Sequence, residues 1–515
     1  MMKKWFCCLL AVILLLATAC GEPGEDFGDP NANDTVPDGS LRLEVTRAED
    51  QKEVWGIGAQ LDPFFFSRNA GHSGTGDQGS WSCETSDWEE IYLPRIREMN
   101  LKQVRMMLWT SWYVGDEEQT LRGEYNFDSS DMQSMVRTLE SLQSLGVRVN
   151  VTMWGINTGV TQWMRAEGES HWVTYPKEEY EELFVKCFAD CIKYLIVDKG
   201  LTCIEEVTLF NEPNTLYPGV SGVMDYCDLC VDMDEAFRTA GIRDKVLFNL
   251  SDDAREPSWL AATLGNLEGI IDLCNSHIYT FGDSHDSITG ETTTQMSNAD
   301  ICYNLPNYNL ALYREMFQSY DIPFVWGEFG ALGSIKSEEG YIEQIGVEVP
   351  RIMLNMFNMG AQGMSYWLLF AHSRSDPNDT FVIDQLGLWS FADENYLCRP
   401  AFYSYSMFTR FVERGDEIFP IESADGNIVA TAFRRGDQWT YCVVNNARVS
   451  KSVSFVNRNK FPGEMIRYLF EEASVPTDNA VIPASGTEQA DGRVVTVQVP
   501  PRSVLLLTQL PEVDS

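Results

Sequence analysis

The run Val207-Thr208-Leu209-Phe210-Asn211-Glu212-Pro213-Asn214 decides how this chain is read. Its first four residues are β-branched or apolar and read as a buried strand. The strand stops abruptly at Asn211-Glu212-Pro213. A carboxylate at the mouth of a buried strand is expensive, because an unpaired buried charge costs several kcal/mol. A second apolar run, Pro323-Phe324-Val325-Trp326-Gly327-Glu328-Phe329-Gly330, ends the same way on Glu328. Two such strand ends predict one pocket holding two carboxyl groups.

Working outward, short apolar strands alternate with longer amphipathic stretches. The strands are expected at 54–60, 103–109, 147–154, 206–211, 246–251, 273–279, 324–329 and 363–370. Between them, stretches such as 131–145 and 179–197 repeat apolar residues every three or four positions, as helices do. Eight strand–helix units predict an α/β (β/α)8 TIM barrel. A doubly wound sheet fits less well, because no Gly-rich loop follows the first strand. After residue 412 the pattern changes to short strands separated by turn residues, at 428–433, 439–445, 452–456, 494–499 and 504–507. This predicts a C-terminal all-β sandwich over 413–515. The barrel then spans 41–412, with the strand at 41–45 available to the sandwich instead.

Residues 1–19 read as a targeting segment. Lys3 and Lys4 precede an apolar run too short to span a membrane, and Leu16-Ala17-Thr18-Ala19-Cys20 resembles a bacterial lipobox. Cys20 is the expected lipidation site, and 20–40 is a flexible tether rich in Gly, Pro and acidic residues. The expected location is the bacterial cell envelope, held to outer-membrane lipid through Cys20 and facing the surface or the periplasm. The alternative is a plain signal peptide with an incidental cysteine.

A formal net charge of −38 opposes nucleic-acid binding, which needs a basic footprint. Thirteen cysteines and five histidines show no spacing of a zinc site, so no metal is expected. Most cysteines read as small buried hydrophobes, with one or two bridges open. The segments 61–86 and 280–305 are long strand-to-helix loops, and such loops rise over the functional face of a barrel. Phe64, Phe65 and Phe66 in the first of them read equally as a sugar subsite or as loop packing. Asp252 and Asp253, after the fifth strand, read as helix caps.

Two carboxyl groups in opposite protonation states are what cleavage of a glycosidic bond requires. Here the motifs reach a family. Asn211-Glu212-Pro213 at the fourth strand and Glu328 at the seventh resemble the signature of clan A glycoside hydrolases. That resemblance implies Glu212 as acid/base, Glu328 as nucleophile and Asn211 as partner of the sugar 2-hydroxyl. It also implies that Arg105 steadies the nucleophile. The pair His277 and Tyr279 is similar to the clan's His-x-Tyr on the sixth strand, and Trp367 to its tryptophan platform. Arg399-Pro400-Ala401-Phe402-Tyr403 and Pro500-Pro501-Arg502-Ser503-Val504 look like segments of families 30 and 39. One departure stands out: family 5 enzymes carry a histidine at the third strand, where this chain reads Asn150-Val151-Thr152-Met153-Trp154. Trp154 and Asn150 are therefore expected to line the pocket.

The expected activity is retaining hydrolysis of β-glycosidic bonds in an oligo- or polysaccharide, with no cofactor. Two rivals remain: a non-catalytic surface glycan-binding protein on the same scaffold, and a transglycosylase using the same residues.

Overall fold

The computed structural model describes residues 34–47, 51–67, 85–157, 159–167, 174–217, 219–279, 283–285, 288, 292–294, 313–316, 319–330, 341–370, 387–390, 395–458, 463–490 and 492–512. Eight parallel strands close into a barrel: Gly56–Gln60, Gln103–Trp109, Arg148–Gly155, Ile204–Leu209, Leu247–Ala254, Leu273–Tyr279, Phe324–Gly330 and Gly363–Tyr366. The last strand pairs with the first, Gly363 opposite Gly56, so the ring has no edge. All eight lie where the sequence places them, within a few residues. The eighth is shorter than expected, ending at Tyr366 rather than Phe370.

These strands read as continuous apolar runs because both faces are covered. The Ser130–Ser144 helix shows the outer layer's logic. Ser129 caps it by accepting from Met132 N at 3.2 Å, and Met132, Met135, Leu139 and Leu142 turn inward. Inside the barrel lies a hydrogen-bonded polar layer. Thr208 Oγ1 donates to Asn150 Oδ1 at 3.1 Å, Asn275 Nδ2 to Asn249 Oδ1 at 2.7 Å, and Asn249 Nδ2 to Glu206 Oε2 at 2.8 Å. Trp55 Nε1 satisfies the other Glu206 oxygen at 2.8 Å, so this buried group is fully partnered.

The C-terminal sheets are a six-stranded one (Glu417–Ile421, Ile428–Arg435, Gln438–Asn445, Ser503–Thr508, Glu464–Glu471, Gly486–Gln489) and a three-stranded one. The second contains Lys451–Asn457, Val494–Val499 and Leu41–Val45, the last in parallel with Lys451–Asn457. Leu43, Phe419, Tyr441, Phe455, Val497 and Leu505 are among the residues packed between the sheets. Glu417–Ile421, Glu464–Glu471 and Gly486–Gln489 were not foreseen. Pro420 obscures the first, charges interrupt the second, and Gly486–Gln489 is short, polar and mostly exposed.

The larger sheet packs on barrel helices Tyr341–Met359 and Pro400–Phe411. Phe411 meets Tyr468 and Phe357 meets Phe433. A side chain on Gly346 would sit 2.4 Å from the Phe470 ring, so helix and sheet touch through that glycine. Arg502 adds a polar tie across the seam, donating to Glu348 at 3.1 Å and to Glu472 at 2.9 Å. Among the described residues no helix is long and apolar enough to cross a membrane. Cys20 and most of the loops 61–86 and 280–305 lie outside the described residues. The eight described cysteines are buried and free.

Candidate active site

The C-terminal ends of the barrel strands converge on one charged cluster. At the fourth strand, Phe210 and Glu212 both adopt left-handed backbone, with φ of 64° and 50°. Non-glycine residues pay about 1–3 kcal/mol each for such conformations. The strain is held by its surroundings: Glu212 N–H donates to Asp252 O at 3.1 Å, and Pro213 opens a short helix, Pro213–Leu216, where its missing N–H is harmless. Asn214 pins the neighbouring strand end, accepting from Ala254 N at 2.8 Å and donating to Glu256 at 2.9 Å. Phe210, Pro213 and Asn214 thus each help hold the turn that carries Glu212.

Arg105, from the second strand, is the hub. Its Nη1 donates to Glu328 Oε1 at 2.7 Å and to Gln60 Oε1 at 3.0 Å. Its Nη2 donates to Asn211 Oδ1 at 2.8 Å and to Asp252 Oδ2 at 2.6 Å. Only the planar fork of a guanidinium reaches four acceptors on four strands at once. On the sixth strand, Tyr279 Oη donates to Glu328 Oε2 at 2.7 Å. His277 Nδ1 lies 3.0 Å from Glu212 Oε1 and 3.6 Å from Glu328 Oε2, while Nε2 lies 3.1 Å from Asp252 Oδ1. The last contact is an ion pair bent away from good hydrogen-bond geometry, since neither atom finds a well-aligned partner.

The electrostatics separate the groups. Burial alone would strip His277 of its proton, but Glu328 and Asp252 outweigh it and raise its pKa to about 10. Burial pushes Glu328 above the usual carboxylate range, with His277 and Arg105 pulling back and Glu212 adding to the rise. Burial opposes ionisation of Asp252 too, yet Arg105 and His277 hold it below its ordinary value. The Glu212 side chain is 29% exposed against 6% for Glu328, so Glu212 faces the cleft while Glu328 sits at its floor. One donor atom each of Glu212, His277 and Glu328 lie within 4.8 Å of one another. By distance alone they could cradle a small cation, which would first have to displace the proton from His277.

Trp154 and Trp367 form an aromatic wall beside the carboxylates. Their rings lie 6.1 Å apart at 26°, and the Arg105 guanidinium stands 5.0 Å over Trp154. An indole face suits the C–H face of a sugar ring.

The structure therefore brings together Glu212, Glu328, Asn211, Arg105, His277, Tyr279, Trp367 and Trp154. It does not bring Asn150 to them. Asn150 is buried, bonded to Thr208, and lies four residues below Trp154, about 13 Å along the strand. It belongs to the polar layer inside the barrel. Phe65 packs with Trp88, Tyr92 and Phe370, and Phe64 with Trp112, so both serve loop packing rather than a subsite.

Three participants escaped the sequence reading. Gln60 has no local signal. Asp252 and Asp253 read as helix caps, but neither caps the Pro257–Asn266 helix: Asp253 accepts from Glu256 N at 2.7 Å, ahead of its first turn, and Asp252 turns into the cluster. Gly327 precedes Glu328 at an irregularity in strand pairing. A Cβ there would lie 2.4 Å from Asn275 Oδ1 and 2.9 Å from Asp252 Oδ1. The Gly327→Ala variant is expected to displace Glu328 and Asp252 by a few tenths of an ångström or more. A misplacement approaching 1 Å costs about 100-fold in rate. Steady-state kinetics of the folded variant checks this; unchanged kcat would show that the strand gives way harmlessly.

The chain matches no protein-family model and no curated protein. Solved structures do resemble it. A family 30 endoxylanase from Clostridium papyrosolvens C71 superposes with a TM-score of 0.60 at 11% identity, covering 91% of this chain and 99% of that one. An endo-β1,6-glucanase gives 0.59 at 12%, covering 93% and 96%. A family 39 enzyme from Xanthomonas axonopodis pv. citri gives 0.55 at 14%, covering 93% and 99%. With its closed eight-stranded barrel, its separate β-sandwich and this nearly end-to-end likeness, the chain has the fold of the TIM-barrel glycoside hydrolases.

Proposed function

We propose that this protein is a retaining glycoside hydrolase acting on β-linked oligo- or polysaccharides, with Glu328 as nucleophile and Glu212 as acid/base. One observation carries the reading: oxygens of the two carboxyl groups lie within 4.8 Å of each other, on the ends of the fourth and seventh strands. Retaining enzymes hold their pair about 5–5.5 Å apart, whereas inverting enzymes leave about 6.5–9.5 Å for a water. The surroundings support the division of labour. Glu328 receives Arg105 and Tyr279, which favour the anion that attacks the anomeric carbon. Glu212 is the more exposed and faces where a leaving oxygen would emerge. In the first half-reaction Glu212 protonates that oxygen as Glu328 forms a glycosyl ester. In the second, Glu212 takes a proton from water, which attacks the anomeric carbon and frees Glu328.

Asn211, held by Arg105, is placed for the sugar 2-hydroxyl, and Trp367 with Trp154 for the ring face. No cofactor enters the scheme. Lipid attachment at Cys20, and with it a place in the cell envelope, is proposed from the N-terminal sequence alone.

The test is stereochemical. A panel of aryl β-glycosides and β-linked polysaccharides would be screened, and the first-formed product of any cleaved substrate followed by ¹H NMR. The expected result is the β-anomer first, with the α-anomer appearing only by mutarotation. An α-anomer formed first would overturn the retaining mechanism.

A further inference from the structure

We propose that Asp252 is a positioning residue that keeps His277 cationic, so that one fixed positive charge serves Glu328 and Glu212 in turn. The proposal rests on the glycosidase reading and deepens it. Its basis is the arrangement of the ring. Nε2 points at a fully buried carboxylate, Asp252, which is itself locked by Arg105. Nδ1 points between the two site carboxyls, 3.0 Å from one and 3.6 Å from the other. A neutral ring with its proton toward Asp252 turns its Nδ1 lone pair toward Glu328 Oε2 at 3.6 Å and, once Glu212 has given up its proton, toward a second carboxylate oxygen at 3.0 Å. The doubly protonated ring instead sets a positive charge against the carboxylates on both sides.

The charge count explains why this helps. The proposed mechanism calls for Glu328 as the anion and Glu212 as the proton donor in the first step. The Nδ1–H can donate to Glu212 Oε1, which leaves Oε2 to carry the proton toward the leaving oxygen. When the glycosyl ester forms, the charge on Glu328 disappears and a new one appears on Glu212. The imidazolium between them is already in place for either, and Asp252 keeps it charged through both steps. Preorganised charge of this kind needs no reorganisation during reaction.

The groups facing His277 are Glu212 from the fourth strand end, Asp252 and Asp253 from the fifth and Glu328 from the seventh, with Tyr279 reaching the cluster through Glu328. Arg105, from the second, faces it across Asp252 and Glu328. Asp253 is otherwise occupied by Ser251, Ser276 and the Glu256 N–H. Of the two carboxylates closest to the ring apart from Glu212, only Asp252 takes no part in the chemistry.

Asp252→Asn tests the idea, because the amide keeps the size and an acceptor for Arg105 while removing the charge. Loss of one neighbouring anion should lower the ring's titration by about 1–3 pH units. The expected kinetic result is a fall of about 100–1,000-fold in kcat, with KM changed little. The basic limb that loss of the general acid's proton already gives the wild type should move to lower pH in the variant, as the ring's own titration falls. A merely structural role would lower activity without moving the limb.

The second measurement needs no substrate. Long-range ¹H–¹⁵N NMR of the imidazoles in the full chain, assigned with His277→Gln, reads the ring's charge directly. The proposal expects a cationic His277 in the wild type at pH 8. A neutral ring there overturns it, whether or not any glycan is cleaved and whether or not the variant folds. A ring equally cationic in Asp252→Asn across the pH range removes the role of Asp252. By contrast, glycan cleavage that survives Glu328→Ala would sink the glycosidase reading, and the NMR result would not register that failure.

Discussion

Glu328→Ala is expected to lower kcat on any cleaved glycan by about 10⁴–10⁶-fold, the scale seen when a covalent nucleophile is removed. The side chain is buried at the floor of the pocket and held by Arg105 and Tyr279, so no neighbouring carboxylate can take its place. Glu212→Ala should behave differently. Loss of general acid catalysis costs about 10²–10⁴-fold, and least for substrates with good leaving groups. Activated aryl glycosides should therefore still load the nucleophile and then stall.

Added azide separates the two roles. In Glu328→Ala it can attack only the free substrate's anomeric carbon from the nucleophile's side, giving an inverted α-glycosyl azide. In Glu212→Ala it attacks the glycosyl–Glu328 ester and gives a β-glycosyl azide. The same azide anomer from both variants would reject the assignment, and undiminished turnover by Glu328→Ala would reject the mechanism.

The second large effect is on stability. Arg105 is 2% exposed and pairs with two carboxylates that are themselves buried. Replacing it with methionine keeps much of the apolar stem but strands Asp252 and Glu328. Removing one partner of a buried ion pair costs about 3–5 kcal/mol. The deficit should be seen as a lower urea midpoint at unchanged slope. Its pH dependence has a definite sign. Arg105 helps hold Asp252 below its ordinary value of 3.8, so that stabilisation is present above 3.8 and is lost as pH falls through the lower folded-state value. The gap between wild type and Arg105→Met should narrow in that acid range. Arg105→Lys should recover only part of the loss, because an ammonium is a point charge and cannot span Gln60, Asn211, Asp252 and Glu328. An unfolding free energy within about 0.5 kcal/mol of wild type would mean that the cluster relaxes without its cation.

How much of this was legible beforehand depends on the range of the physics involved. The barrel strands announced themselves because a strand buried on both faces is a short apolar run, and eight of them alternated with 3.6-residue periodicity. Glu212 and Glu328 stood out because a charge at the end of such a run is anomalous locally. Leu41–Val45 could be suspected of leaving the barrel because it preceded the first repeat; its actual partner, Lys451–Asn457, lies too far along the chain for any local pattern to name.

The remainder required closure of the ring. Asp252 and Asp253 are adjacent, and each has the composition of a helix cap. A positive φ at Ser251 and Asp252 sends one carboxylate to Glu256 and the other to Arg105. Gly327 looks like any glycine until Asn275 and Asp252 crowd it from neighbouring strands. Asn150 and Trp154 share a strand face, and only depth along the barrel separates an interior amide from a pocket-lining indole. The sequence by itself determined the eight barrel strands and the two carboxylates at their ends, because these follow from local burial and periodicity; Arg105 was named only through the family resemblance. Only the tertiary structure decided which charges meet, because Coulomb energies in a dry site depend on distances between strands that the chain sets far apart.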